Sequence, residues 1–201
     1  MRDATGAADR FVVVWSDRHP DGTRIDVAAE QATREIGDDA VCVATYGDSE
    51  QVVRLEVTPR AAPKAPPVWF AELRESTGRP PAVNLLAFTG HDCAPGTLLD
   101  RADLANLPVV SADQLGAVRW YPATGEVDQI YVSQPWRRRT VAGALVAAGT
   151  TLSLARGWPR FWGDGQRTEL GEQLRNASAW RHRAAELTHV APPMTPGEPV
   201  P

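Results

Sequence analysis

An α/β fold, built on a mixed, mainly antiparallel sheet with helices on both sides, is what this 201-residue sequence predicts. Three observations predict it. Arg10 is followed by Phe11, Val12, Val13, Val14 and Trp15, an apolar and β-branched burst of the length of a buried strand. Val53, Leu55 and Val57 alternate with Arg54 and Glu56, the period of a strand with one wet face. Val141, Leu145, Ala148, Leu152 and Ala155 fall on one stripe of a helix over about Arg139–Arg156, and Gly157 follows where left-handed backbone ends helices.

The remaining elements follow in order. Residues 1–9 are small and polar and read as a flexible tail, with a single domain over 10–190. The turn formers of Asp17–Gly22 close the first strand, and Ile25, Ala28, Ala32 and Ile36 then share a helical face that Gly37 ends. Val41–Tyr46 and Gln51–Val57 read as a hairpin around Gly47, Asp48 and Ser49. Four prolines in Pro59–Pro67 make a stiff connector, after which Val68–Glu75 reads as a short helix closed by Gly78 and Pro80. Val83–Phe88 reads as a strand, and Gly90, Pro95 and Gly96 punctuate the residues beyond it. Ala117–Tyr121 and Glu126–Val132 are strands joined by the turn Pro122–Gly125. Pro159–Trp162 reads as a further strand and Thr168–Leu174 as a further helix. Residues 191–201 are rich in proline, which cannot donate to a helix or sheet ladder, and form a second tail.

Composition narrows the functional classes. At 43% hydrophobic residues the chain can bury one substantial core. The two cysteines, Cys42 and Cys93, have no Cys-x-x-Cys spacing and no apolar leader precedes them, which implies a reducing, cytoplasmic setting. No run reaches the roughly 18 apolar residues of a membrane span. A net charge of -4 argues against nucleic acid as a partner, because a polyanion requires a basic surface. The one dense basic run, Arg137-Arg138-Arg139, therefore needs a local explanation.

That run lies between the strand ending at Val132 and the helix beginning near Val141. Helix-start N–H groups point outward at the positive end of the helix dipole, so a diphosphate can be cradled there, whereas three cations at that end are unfavourable without an anion. The order of strand, Pro135, basic loop, amphipathic helix and terminal glycine resembles the acyl-CoA-binding half of GNAT-type N-acyltransferases, most clearly over residues 115–162. Arg137 matches the first position of their Arg/Gln-x-x-Gly-x-Gly/Ala signature and Ala142 its last, while Thr140 replaces the first glycine. A threonine there adds a Cβ that restricts approach to phosphate, or a hydroxyl that bonds it.

The resemblance implies a sheet splayed into a V between two central strands, with residues 109–190 as the acyl-CoA-binding half and 10–108 as a divergent half. It implies acetyl-CoA as cofactor. Its contacts would come from Ile130, Tyr131 and Val132 on the strand and from Arg137, Arg138, Arg139, Thr140, Val141, Ala142 and Gly143 on the loop and helix start. The implied activity is transfer of an acyl group to an amine of a small molecule or protein. A base near the acceptor is then needed. Glu126 and Asp128 are the candidates: both share the strand phase of Ile130 and Val132, and Glu126 lies eleven residues before Arg137, where some members place their base. Both also fit a solvated strand end after Gly125. Tyr131 alternates to the other face and reads as core. A tyrosine that many members use as general acid has no counterpart in Arg167–Trp180. A catalytically degenerate CoA-binding or protein-interaction module is therefore the alternative.

Other features have plainer readings. His91 and Cys93 lie close together, but no second Cys/His pair sits at ligand spacing, so no metal is expected. Trp15, Trp69, Trp120 and Trp162 fall in apolar runs and read as core, whereas Trp136 borders the basic loop. Arg181, His182 and Arg183 read as the wet face of a helix. Apolar residues of Val83–Phe88 would allow a homodimer to form across that strand.

Overall fold

The computed structural model describes residues 10–16, 19–27, 39–178 and 181–191. It is a mixed α/β structure whose sheets are mostly antiparallel, and the described residues include three α-helices. The N-terminal sheet contains β1 (Arg10–Ser16), β2 (His19–Val27), β3 (Ala40–Tyr46) and β4 (Val52–Val57), in the order β2-β1-β3-β4. The second sheet contains β5 (Trp69–Glu75), β6 (Ala82–Phe88), β7 (Leu98–Leu99), β8 (Gly116–Trp120) and β9 (Val127–Val132), in the order β7-β5-β6-β8-β9. The two sheets meet edgewise, where the Leu55 N–H donates to the Gly96 carbonyl at 2.8 Å and Arg54 bridges Thr97.

Between the sheets lies α2 (Val141–Ala155), preceded in sequence by the short α1 (Arg101–Leu104). The periodicity of α2 suggests one apolar stripe, yet all residues from Ala144 to Ser153 are buried, because sheets cover the helix on opposite sides. Crowding from both directions accounts for its small residues. A Cβ on Gly149 would come within 2.7 Å of the Phe161 ring. Phe11, Val13, Leu55, Phe70, Leu85, Val118 and Trp120 complete this central core from the two inner faces. The outer face of the second sheet is covered in part by Leu104, Leu107 and Val109 against Trp69, Ala71 and Phe88. A small C-terminal unit follows: β10 (Gln166–Arg167) pairs in parallel with β11 (His189–Val190), and α3 (Glu169–Ala177) starts at Thr168, whose hydroxyl accepts from the Gly171 N–H.

Several sequence expectations change here. Val68–Glu75 is strand β5, not a helix. Trp69, Phe70, Ala71 and Glu72 are all buried, as in a strand covered on both faces, and a short apolar run of that kind carries no period to read. Ile25 lies in β2, and the rest of the expected helix at Ala28–Ile36 lies outside the described residues, as do both tails apart from Ala191. In β4 the inward residues are Val52, Leu55 and Val57, while Val53 is exposed, because a register shift opposite Tyr46 breaks the alternation. Pro159–Trp162 forms only a single parallel bridge, from Trp162 to Glu126, and Trp162 stands at the surface rather than in the core. Arg181–Arg183 is one turn of 3-10 helix. Strand β6 is flanked by β5 and β8, so both its edges are occupied within the sheet and it offers no edge to a further strand. No helix among the described residues is long and apolar enough to cross a membrane.

Candidate functional site

The segment from β8 through β9 to the start of α2 folds as its sequence suggests. The turn at Pro122–Gly125 is tight, with Gly125 at φ +77°, and a side chain there would strike the Arg160 carbonyl, so only glycine fits. β9 pairs with β8 along one edge. On its other edge the Val127 N–H donates to the Trp162 carbonyl at 2.8 Å, and no further pairing is present along that edge among the described residues. The Ser133 N–H points back to Leu115, so by alternation the N–H groups of Ile130 and Val132 point to the open edge. The Val132 carbonyl accepts from Arg137 Nε at 3.2 Å.

After Val132 the chain makes one turn of 3-10 helix at Gln134–Trp136 and enters α2 through two left-handed residues, Arg138 at φ +61° and Thr140 at φ +54°. The first bond of the helix runs from the Ala144 N–H to the Thr140 carbonyl, leaving the N–H groups of Val141, Ala142 and Gly143 without a helical acceptor. The Thr140 side chain does not cap them and the first turn holds no acidic residue. Arg138 and Arg139 form no salt bridge among the described residues, and the Arg139 guanidinium stacks over Trp136 at 5.1 Å. Among the described residues this helix start therefore has no side-chain cap and no acid in its first turn, and a basic run lies beside it.

A further chain segment reaches the same place. The proline-rich connector lays Ala61–Lys64 against the start of α2: the Lys64 N–H donates to Thr140 Oγ1 at 3.0 Å. The Ala61 carbonyl oxygen stands 2.7 Å from where a Gly143 Cβ would be. Lys64 is the chain's one lysine, and it is exposed where its backbone meets Thr140. Sequence reasoning missed this contact, since nothing local links a connector to a helix start far along the chain.

The two candidate bases are separated by the structure. A register shift between Arg119 and Trp120 places Val127 opposite Trp120 and Gln129 opposite Arg119, with Asp128 as the extra residue. Val127, Ile130 and Val132 pack on the core, whereas Asp128 turns to the outer face with Arg119 and Tyr121. The expectation that Asp128 shares the phase of Ile130 and Val132 is therefore incorrect, and the bulge is the reason. Tyr131, opposite Ala117, is half-buried on that outer face and is not part of the core.

Asp128 accepts from Arg119 Nη1 at 2.6 Å and from the Tyr121 hydroxyl at 2.7 Å, and Arg119 also pairs with Glu75 at 3.0 Å. Asp128 raises the Tyr121 pKa above its ordinary value, and Arg119 holds the Glu75 carboxyl below the usual range. Glu126 sits opposite Tyr121 at the Trp162 bridge, and its carboxylate takes no ion pair among the described residues.

At the far end of α2 lies a second polar cluster that the sequence did not suggest. Glu72, 8% exposed on β5, receives both guanidinium nitrogens of Arg156, at 2.6 and 2.5 Å, together with Arg74 Nε at 2.8 Å. Burial pushes the Glu72 pKa up, but hydrogen bonds and charge from Arg156 and Arg74 outweigh it and hold the carboxyl below its ordinary value. Arg156 also stacks on Trp158 at 4.8 Å. This fully paired cluster fastens the helix end to the sheet.

Neither cysteine is a prepared nucleophile. Burial pushes the Cys42 thiol up to about 12, and burial with nearby Asp92 raises that of Cys93. Among the described residues no group of three His, Cys, Asp or Glu side chains could hold a metal ion. Searches of family models, curated proteins and solved structures return no match to this chain.

Proposed function

We propose that the chain is a GNAT-like domain that binds acyl-CoA, acetyl-CoA first among them, at the junction of β9 and α2, and transfers the acyl group to an amine. The observation that carries this reading is the start of α2: three N–H groups without helical acceptors, no acid in the first turn, and the basic run Arg137–Arg139 beside it. A helix start of this kind attracts a phosphate group. The open edge of β9 at Ile130 and Val132 supports a place for the pantetheine arm. The lone parallel bridge between Glu126 and Trp162 is what a sheet opening into a V from that point would retain.

In this reading the amine nitrogen attacks the thioester carbon, the carbon–sulfur bond breaks, and the thiolate leaves and takes up a proton. The proton lost by the amine goes to a base. Glu126 is the better candidate, because Asp128 is held by Arg119 and Tyr121 on the outer face. The protein's contribution would be mainly positioning and proton removal. A second reading, a CoA-binding or protein-interaction module without turnover, is favoured by that same engagement of Asp128.

Calorimetric titration of acetyl-CoA and CoA tests the site. Binding in the micromolar range, weakened at least tenfold in an Arg137→Ala, Arg139→Ala variant, is expected; absence of binding would remove the acyl-CoA reading. An amine screen then separates the two readings, since turnover lost in Glu126→Gln with binding retained supports an enzyme.

A further inference from the structure

Thr140 and Gly143 share an unexpected neighbour. The Lys64 N–H donates to Thr140 Oγ1 at 3.0 Å, and the Ala61 carbonyl lies so close to Gly143 that a Cβ there would stand 2.7 Å from its oxygen. The strap between them is stiff. Ala62–Ala65 closes a turn through the Ala65 N–H and the Ala62 carbonyl at 3.2 Å, with Pro63 inside it, and Pro66 and Pro67 follow. Its other end is tied down by bonds from Ala61 and Ala62 N–H groups to the Thr58 carbonyl, each 3.1 Å.

These contacts place the Ala61 carbonyl oxygen, the negative end of a dipole, against the first turn of α2 beside Gly143, where it accepts no bond from the Val141, Ala142 or Gly143 N–H groups. Thr140 is tied to the strap by its oxygen, which accepts the Lys64 N–H, while its own hydroxyl proton can still be donated to a phosphate once the strap has moved. It also holds a left-handed conformation that a residue with a Cβ adopts at a cost, which the contact with Lys64 helps to offset.

We infer that the Ala61–Lys64 strap is a latch over the start of α2, that Thr140 is its catch, and that an anionic ligand enters this site by displacing it. The inference rests on the proposed anion site and adds its regulation. The strap packs against the first turn of α2, across the approach of a phosphate group to its N–H groups, so the latch sets both the rate of entry and the threshold of affinity. Gly143 is then required for the strap to close, and Thr140 for it to stay closed.

Two substitutions loosen the latch without changing charge. Thr140→Ala removes the acceptor of the Lys64 N–H while keeping a Cβ at that position, and Gly143→Ala pushes the Ala61 carbonyl away. Thr140→Ser, which keeps the hydroxyl, is the control. In stopped-flow binding of CoA, Thr140→Ala is expected to raise the association rate and the affinity by about threefold to tenfold, the worth of one intramolecular hydrogen bond, with Gly143→Ala acting in the same direction. Thr140→Ser should match the parent.

Hydrogen exchange at the Lys64 amide provides the second readout. It should quicken in Thr140→Ala and in the parent saturated with CoA, but not in Thr140→Ser alone. Unchanged or weakened CoA binding in Thr140→Ala would overturn the latch while leaving the acyl-CoA reading intact, as would a Lys64 amide that stays protected in the complex. If no variant binds CoA, the acyl-CoA reading fails and the latch inference fails with it.

Discussion

The two ends of α2 are opposites. At its C-terminus Arg156 complements the negative end of the helix dipole and is itself satisfied by buried Glu72, with Trp158 against its face. At its N-terminus the charge order is reversed: cations crowd the positive end, no carboxylate lies in the first turn, and a carbonyl from a distant strap packs beside Gly143. Among the described residues, one end has a carboxylate that answers its charge and the other has none in its first turn. Both ends of a helix leave backbone groups in want of partners, and the acyl-CoA proposal concerns the end where three N–H groups have no helical acceptor and no side-chain cap.

The largest effect that would sharpen this contrast is at the C-terminal end. Glu72→Ala leaves the Arg156 guanidinium largely buried and unpaired, and should cost about 3–5 kcal/mol in urea unfolding, as breaking a buried pair does. A loss below 1 kcal/mol would mean that the pair does not fasten the helix. The pH dependence has a definite sign. Because the folded pKa of Glu72 is depressed, its contribution is present above the ordinary carboxylate pKa and is lost as pH falls through the folded value. The parent should therefore lose stability on acidification below about pH 4.3 more steeply than Glu72→Gln does.

At the N-terminal end the expected change has the opposite direction. Arg138 is exposed and forms no salt bridge among the described residues, so Arg138→Glu should stabilise the unliganded protein by about 0.3–1 kcal/mol at low ionic strength and weaken CoA binding. Destabilisation by this change would break the comparison. The smallest effect belongs to Asp128→Asn. Its bonds to Arg119 and Tyr121 lie on a partly solvated face, and about 0–1 kcal/mol of stability with no change in CoA affinity is expected from thermal melts and titration.

What was legible in the sequence follows from how local each signal is. The hairpin of β8 and β9 and the helix after it carry their period, turn and terminators within one continuous stretch, and they fold where expected. The sequence of β5 reads as a helix because a strand buried on both faces has no alternation, and because Glu72 within it is explained only by an arginine 84 residues away. Alternation puts Asp128 on the wrong face because one inserted residue inverts the phase of a strand, and a bulge has no signature in this sequence. Lys64, the residue that joins the connector to Thr140, carries no local signal, since its proximity is a product of the whole fold.

Enclosing α2 between two sheets also has a consequence for how the chain is made. Phe11, Val13 and Leu55 emerge early in synthesis, yet their apolar face is covered by a helix that begins only at Val141. Until that helix leaves the ribosome, the N-terminal sheet has no core to close upon, and its inner surface is open to aggregation or to chaperones. Folding of the two halves is therefore coupled to completion of α2, and nascent chains halted before Val141 should remain protease-sensitive throughout, including the strands already synthesised.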